Sequence, residues 1–308
     1  MRVETPRGLT PEPTSLPTQP EPGAPAIEIR CFGGFDVLAR GRDLTLASSP
    51  AEAAEQARAW ELLAFLGVHP EGLVPEGDVL AALFPDEDPH AAHTALLERI
   101  GLLQRLLSSA VPHFAGSGET PLVWLDERDL ACRLDLRHAE SDVHRFHRLC
   151  RAAALMRDDQ AVEVWQRARE LYRGDLLEGP GAREYAWVTQ PAEDGQLAPR
   201  DQYREQYYRA TLRLARGYLR DDQPDLALPL FQALLEIEPL LEDVVRDAFR
   251  CHAAVGDVRS LEGERDRLLA ALRLYSGPED DDPEPEPATA ALFAELHHDL
   301  ELRASMPA

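Results

Sequence analysis

The chain has 308 residues, 44% of them hydrophobic and 28% charged, which is a length that predicts two domains. Its formal net charge of −23 argues against a strong general attraction to nucleic acid or to anionic lipid, because an acidic excess repels phosphates. All 32 basic residues are arginines, and the absence of lysine excludes P-loop ATPases, protein kinases and enzymes that form a Schiff base. We therefore expect a protein that is not an enzyme and holds no cofactor.

The four cysteines are scattered and lack the CxxC spacing that is typical of disulfide frameworks and zinc sites; they are Cys31, Cys132, Cys150 and Cys251. This pattern predicts reduced, mostly buried thiols in a cytoplasmic protein. No apolar run reaches the ~18 residues of a membrane span, and the N-terminus lacks the apolar centre of a signal peptide. We expect neither export nor membrane anchoring.

Residues 1–26 contain seven prolines and almost no large apolar side chains. Such a segment buries too little apolar surface to offset the entropy lost on ordering, so it predicts a disordered tail.

Residues 27–137 form the first predicted domain. The opening IEIRCFGGFDVLARGRDLTL alternates apolar residues between glycine turns, which predicts three short antiparallel strands. Two amphipathic stretches follow, AEAAEQARAWELLAFLGVHP and EGDVLAALFP, and HAAHTALLERIGLLQRLL at 90–107 makes a third helix. PLVWLDERDLACRL closes the block as a two-stranded hairpin. This order predicts a winged helix-turn-helix domain, in which the third helix is the one that reads DNA.

Residues 138–308 are predicted to be wholly helical, with six consecutive amphipathic helices and a seventh near the C-terminus. Consecutive helices joined by short turns are typical of tetratricopeptide-like stacks. Segment 277–288 contains six acidic residues and four prolines and predicts a solvated linker before the last helix. The predicted fold is thus mostly α with a small antiparallel β component, a winged helix followed by a tetratricopeptide-like domain.

Several stretches, taken in order, resemble the antibiotic-regulatory-protein (SARP) type of bacterial transcriptional regulator. They begin with IEIRCFGGFDVLARGRDLTL, and the most telling are LYRGDLLEG at 171–179 and PEPATAALFAEL near the C-terminus. The resemblance covers about residues 27–303. It implies a winged helix joined to a bacterial transcriptional activator domain, no catalytic residues, and a dimer on direct DNA repeats that contacts RNA polymerase.

The third helix has one narrow apolar stripe, which must face the core of its domain; it comprises Ala92, Leu96, Ile100, Leu103 and Leu107. The opposite face is then Thr94, Glu98, Gly101 and Arg105. This face offers one arginine beside a carboxylate, whereas readout of bases and phosphates needs several donors. Residues 27–137 hold nine arginines against eighteen acidic residues, which is the reverse of a usual DNA-binding footprint.

The residues expected to contact DNA are those with donors on the third helix and on the wing: His90, His93, Thr94, Gln104, Arg105, Arg128 and Arg133. Exposed apolar side chains on the helix, Leu97 and Leu102, suit a protein partner better. Tyr185 and Trp187, within the unusually long connection 180–201, are further candidates for protein contact.

His144, His147 and Cys150 lie at successive i, i+3 steps, which a zinc site could use. Such steps drift around a helix, so the three side chains do not share one pocket, and no fourth ligand is evident. We predict no metal site.

Two functions remain open from the sequence. The first is a SARP-type regulator whose DNA binding is weak or assisted by a partner, with RNA polymerase or another protein bound through the helical domain. The second is an interaction scaffold that has kept the winged-helix shape and does not bind DNA.

Overall fold

The computed structural model describes residues 25–46, 49–69, 73–111, 122–125, 131–178, 185–191, 195–275 and 283–305. The predicted disordered tail lies outside the described residues except for Pro25 and Ala26.

The described chain begins with a small sheet whose strands are in the order β3-β2-β1-β7. Strand β1 is Ile27–Arg30, β2 is Asp36–Ala39, β3 is Arg42–Asp43 and β7 is Ala139–Ser141. The first three strands pair antiparallel, as predicted. Strand β7 pairs parallel with β1, so the sheet is mixed rather than wholly antiparallel. Strand β7 has only three residues, and this is too short for an alternating apolar pattern to be recognised in the sequence.

Three helices and a second sheet complete the winged helix. Helix α1 is Pro50–Val68, α2 is Glu76–Leu83 and α3 is Pro89–Ala110. Strands β4 (Leu73–Pro75), β5 (Leu122–Leu125) and β6 (Ala131–Leu134) form an antiparallel sheet in the order β4-β6-β5, so the predicted hairpin β5–β6 gains a third strand.

Caps set the beginnings of α1 and α3. The Ser49 side chain accepts a hydrogen bond from the amide of Glu52 (3.3 Å), and the Asp88 carboxylate accepts from His90 and Ala91 (3.0 and 3.3 Å). Each cap is followed by a proline at the first helical position, where no intrahelical amide bond is lost.

The second half is helical, as predicted, except that β7 at its beginning belongs to the N-terminal sheet. Its helices are α4 (Asp142–Leu155), α5 (Asp158–Leu171), α6 (Ala186–Thr189), α7 (Pro199–Arg220), α8 (Pro224–Ile237), α9 (Glu242–Val255), α10 (Val258–Tyr275) and α11 (Pro287–Ser305). The short helix α6 lies within a stretch predicted to be a connection. Helix α11 begins at Pro287, so the last two residues of the predicted linker 277–288 are its first turn, and 277–282 lie outside the described residues.

Buried hydrophobic residues of the described chain form two clusters. The first combines β1, β2 and α1–α3 with α4, α6 and the N-terminal half of α7, and it therefore crosses residue 137. The second lies among α7–α11. Because α7 contributes to both clusters, the packing continues from the winged helix into the helical stack.

The four cysteines are free and buried, as predicted. No helix among the described residues is long and apolar enough to cross a membrane.

Candidate nucleic-acid interface

Helix α3 turns its apolar stripe inward, as predicted. Ala92, Leu96, Ile100, Leu103 and Leu107 are its buried residues, none more than 5% exposed. They pack against the first cluster, with α1 as the principal neighbouring helix. The orientation of α3 about its own axis is thereby set by burial of this stripe.

The outward face of α3 carries little positive charge. Thr94, Glu98 and Arg105 are exposed, and a guanidinium nitrogen of Arg105 lies 3.6 Å from where a β-carbon would stand on Gly101. In the part of the chain that the structure describes, Arg105 has no carboxylate partner. This face can therefore offer one guanidinium to a phosphate or a base, with Glu98 two helical turns away on the same face.

The other arginine of α3 does not reach this face. The Arg99 guanidinium lies 3.2 Å from the Glu61 carboxylate of α1 and 4.0 Å above the ring centre of Phe84, and its side chain is 11% exposed. Burial lowers the pKa of Arg99, although Glu61 acts in the opposite direction. Arg99 thus fastens α3 to its own domain.

The predicted hydrogen-bond donors at the start of α3 differ in their exposure and in the hydrogen bonds that they already make. His90 and Thr94 are exposed, and the Thr94 hydroxyl donates to the His90 carbonyl oxygen at 3.0 Å. His93 Nδ1 is hydrogen-bonded to the buried Glu76 carboxylate at the first residue of α2. His93 therefore joins the two helices of the helix-turn-helix, with 36% of its side chain exposed. Gln104 is half-buried beside the stripe.

The structure brings a further cation to the C-terminal end of α3. Arg42 of β3 lines a groove of about 160 Å³ together with Leu106 and Ser109. Asp43 and Glu52 line the same groove, so its charge is not positive overall. Arg42 begins the two-residue strand β3, and nothing in the local sequence indicates that it meets α3.

The predicted wing donors stay predictions. Arg128 lies outside the described residues, and Arg133 is described only as backbone in β6.

The candidates for protein contact separate into exposed and buried residues. Leu97 is 44% exposed and Leu102 is half-buried, so a leucine on α3 is available to a partner. Tyr185 and Trp187 are only 9% and 7% exposed, and the Trp187 ring packs edge-on against Phe65 of α1 at 5.0 Å. Both aromatics are thus part of the first core and expose little surface, and their contact with a protein partner stays a prediction.

The three candidate zinc ligands of α4 do not form a metal site, and no metal-binding cluster occurs in the described ranges. His144 is fully buried, and its ring lies against the backbone of Leu66 and His69 at the end of α1, which acts to raise its pKa. Burial lowers the pKa of His144 to about 4. Its neutral ring is a packing group between the two halves of the molecule.

A buried carboxylate joins the winged helix to the helical half. Asp142, the first residue of α4, accepts hydrogen bonds from the amides of Cys31 and Phe32 (2.9 and 3.2 Å) and from the Arg173 guanidinium (2.7 Å). Burial raises the pKa of Asp142 to about 6, while these donors act to lower it. The Tyr203 hydroxyl of α7 adds a bond to the Val68 carbonyl oxygen at 2.7 Å.

The LYRGDLLEG segment is the other half of this junction. Gly33 donates its amide to the Asp175 carbonyl oxygen (3.0 Å), and Leu177 donates to the Cys31 carbonyl oxygen (2.7 Å). Gly33 has φ +76°, and a β-carbon there would lie 2.9 Å from the Arg173 carbonyl oxygen, so only glycine fits. The segment thus forms an isolated antiparallel bridge, Phe32 to Leu176, which ties the helical half to the chain that follows β1.

Comparison with known proteins agrees with this architecture. Residues 141–260 match the family described as bacterial transcriptional activator domain. No curated protein matches the chain in sequence.

The solved structure of Mycobacterium tuberculosis EmbR in complex with a low affinity phosphopeptide is similar in fold, with a TM-score of 0.61 at 19% sequence identity. The likeness covers 92% of this chain and 66% of the EmbR chain. Together with the domain match, it confirms the predicted resemblance in fold: residues 141–260 match a bacterial transcriptional activator domain, and the fold of the chain is similar to that of EmbR.

Proposed function

We propose that the protein regulates transcription without catalytic activity, by placing α3 weakly on duplex DNA while its helical half binds RNA polymerase or another protein. The protein acts in the cytoplasm. Residues up to 137 form the part that contacts DNA, and residues 138–308 form the part that contacts protein. The observation that carries this proposal is the match to an activator domain in the segment that follows a winged helix. Helix α3 of that winged helix buries its apolar stripe and leaves its opposite face exposed.

The electrostatics of α3 support weak rather than strong DNA contact. One exposed guanidinium, at Arg105, and the polar residues His90 and Thr94 are available, and Arg42 is balanced by nearby carboxylates. Non-specific affinity grows with the number of phosphates that are neutralised, so this face supplies little of it. A protein partner bound beside α3, for example at Leu97, would add the missing free energy of binding.

A titration of fluorescent duplex DNA with the full chain, followed by anisotropy, tests the proposal. At ~50 mM salt, where phosphate contacts are strong, we expect measurable binding that added RNA polymerase strengthens. Absence of binding both with and without polymerase would eliminate the proposal.

The alternative is a scaffold whose winged helix binds protein only. It is favoured by Leu97, which stands exposed in the face that would meet DNA, and by the net charge of −23. Leu97→Ser separates the two functions. A scaffold loses partner binding with this substitution, whereas DNA binding by the chain alone, through Arg105 and Thr94 and without any partner present, does not need the leucine.

A further inference from the structure

Helices α5 and α7 enclose a concavity of about 320 Å³ that the regulator function described above does not use. Among the described residues its lining consists of Trp165, Arg213, Arg216 and Arg220. Three arginines around one aromatic ring are unusual on a chain whose net charge is −23.

The spacing of α7 and its packing on α5 explain the cluster. Positions 213, 216 and 220 follow i, i+3, i+7 and so share one face of the helix. Gly217 lies between them, and a β-carbon there would stand 2.8 Å from Val162 Cγ2 of α5. The glycine therefore lets α5 come close enough to place Trp165 beside the guanidinium groups.

Two carboxylates of α9 hold the central arginine in place. Arg216 Nη2 lies 2.8 Å from Asp243 Oδ2, and Arg216 Nε lies 2.6 Å from Asp247 Oδ2. Arg216 is thus neutralised and fixed as part of the wall. Arg213, by contrast, is exposed and forms no ion pair with any residue that the structure describes. The concavity therefore has one guanidinium that lacks a counter-ion.

We propose that this concavity binds an acidic side chain, Glu or Asp, presented by a segment of a partner protein. The carboxylate pairs with the open fork of Arg213, and the carbon chain that carries it packs on the Trp165 ring. The proposal rests on the protein-binding part of the proposed function and names the place and the chemistry of that contact.

Charge complementarity selects this occupant. A guanidinium fork matches a carboxylate or phosphate with two parallel hydrogen bonds. Asp243 and Asp247 already balance Arg216, and Arg220 has an interaction of its own. The charge left open at Arg213 therefore suits one monoanionic carboxylate better than a dianionic phosphate. Tryptophan and arginine are also the residues that most often dominate binding at protein interfaces, and stacked helices commonly bind extended segments.

The test is calorimetric titration of the full chain with an acetylated, amidated hexaglutamate peptide at ~50 mM salt. We expect Arg213→Glu to weaken binding at least about tenfold, since it places like charges together in the concavity. The matched control is Arg259→Glu on α10, an exposed arginine that also lacks an ion pair among the described residues and that changes the net charge equally. Its affinity should stay within about twofold of the unmodified protein.

Tryptophan fluorescence locates the peptide. Hexaglutamate should change the emission of the unmodified protein, and Trp165→Phe should abolish that change while calorimetry still detects binding. Parallel titrations use inorganic phosphate and duplex DNA as probes.

Three results would overturn the proposal. These are no binding at ~1 mM hexaglutamate, equal loss of binding in the Arg213 and Arg259 variants, or a response of Arg213 to phosphate or DNA but not to the peptide. In each case polymerase-assisted DNA binding by the unmodified chain is measured separately. A concavity that does not bind the peptide therefore leaves the proposed function to be decided by that measurement.

Discussion

Arg105 carries the only arginine charge on the outward face of α3 in the described chain. We predict that Arg105→Glu lowers DNA affinity at least about tenfold, because it removes one phosphate or base contact and adds repulsion. The melting temperature should stay unchanged, since the side chain lies opposite the buried stripe. Glu98→Gln is the matched control: it removes a negative charge from the same face and should therefore raise DNA affinity. Equal affinity of all three proteins in the anisotropy titration would show that α3 does not meet DNA.

His144 makes the stability of the protein depend on pH. Its folded-state pKa is about 4, below the unfolded value of 6.5, so at acid pH the unfolded chain binds a proton that the folded chain does not. The free energy of unfolding should therefore fall as the pH drops from 6.5 to 4, by up to about 3 kcal/mol from this residue.

Urea unfolding of His144→Leu beside the unmodified protein measures this contribution. The variant should lose less stability than the unmodified protein between about pH 7 and pH 4.5. The comparison cancels the pH dependence of other groups, including Asp142. If the two proteins lose stability in parallel, His144 is not the group that responds.

At the scale of elements, the first turn of α4 holds the two halves together through Asp142. Asp142→Ala leaves the amides of Cys31 and Phe32 and the Arg173 guanidinium without their acceptor. We expect a loss of about 3 kcal/mol or more in the free energy of unfolding, because buried donors lose both water and partner. Asp142→Asn keeps one acceptor oxygen and should lose less. Variants that unfold at the same urea concentration as the unmodified protein would contradict the role of this junction.

Sequence periodicity predicted most helices and strands but did not predict which of them contact each other. The stripe of α3 was predictable because burial repeats with the helical period. The LYRGDLLEG segment was recognisable, but its bonds to Gly33 and Cys31 were not, since they join residues more than 140 positions apart. Tyr185 and Trp187 lie outside any clear periodic pattern, and only the packing shows that they belong to the core.

At the scale of the whole molecule, the charge of −23 limits how the protein meets DNA. The outward face of α3 can neutralise only about one or two phosphates, so we predict a shallow salt dependence, with a slope of log K against log salt between about −1 and −2. Anisotropy titrations from ~50 to ~200 mM salt measure it. A slope steeper than about −5 would mean that phosphate contacts outside α3 carry the binding.

The amino-acid sequence by itself determined the order of the longer helices and of strands β1–β3, β5 and β6, the inward stripe of α3, the buried cysteines and the acidic balance, because each depends on local periodicity or on composition. Only the tertiary structure decided which arginines are available to bind another molecule. Arg99 is paired with Glu61, and Arg216 with Asp243 and Asp247. Arg105 and Arg213 form no ion pair among the described residues. The physical reason is that an ion pair depends on distance in space, and the partners of these arginines lie 27 to 38 positions away along the chain.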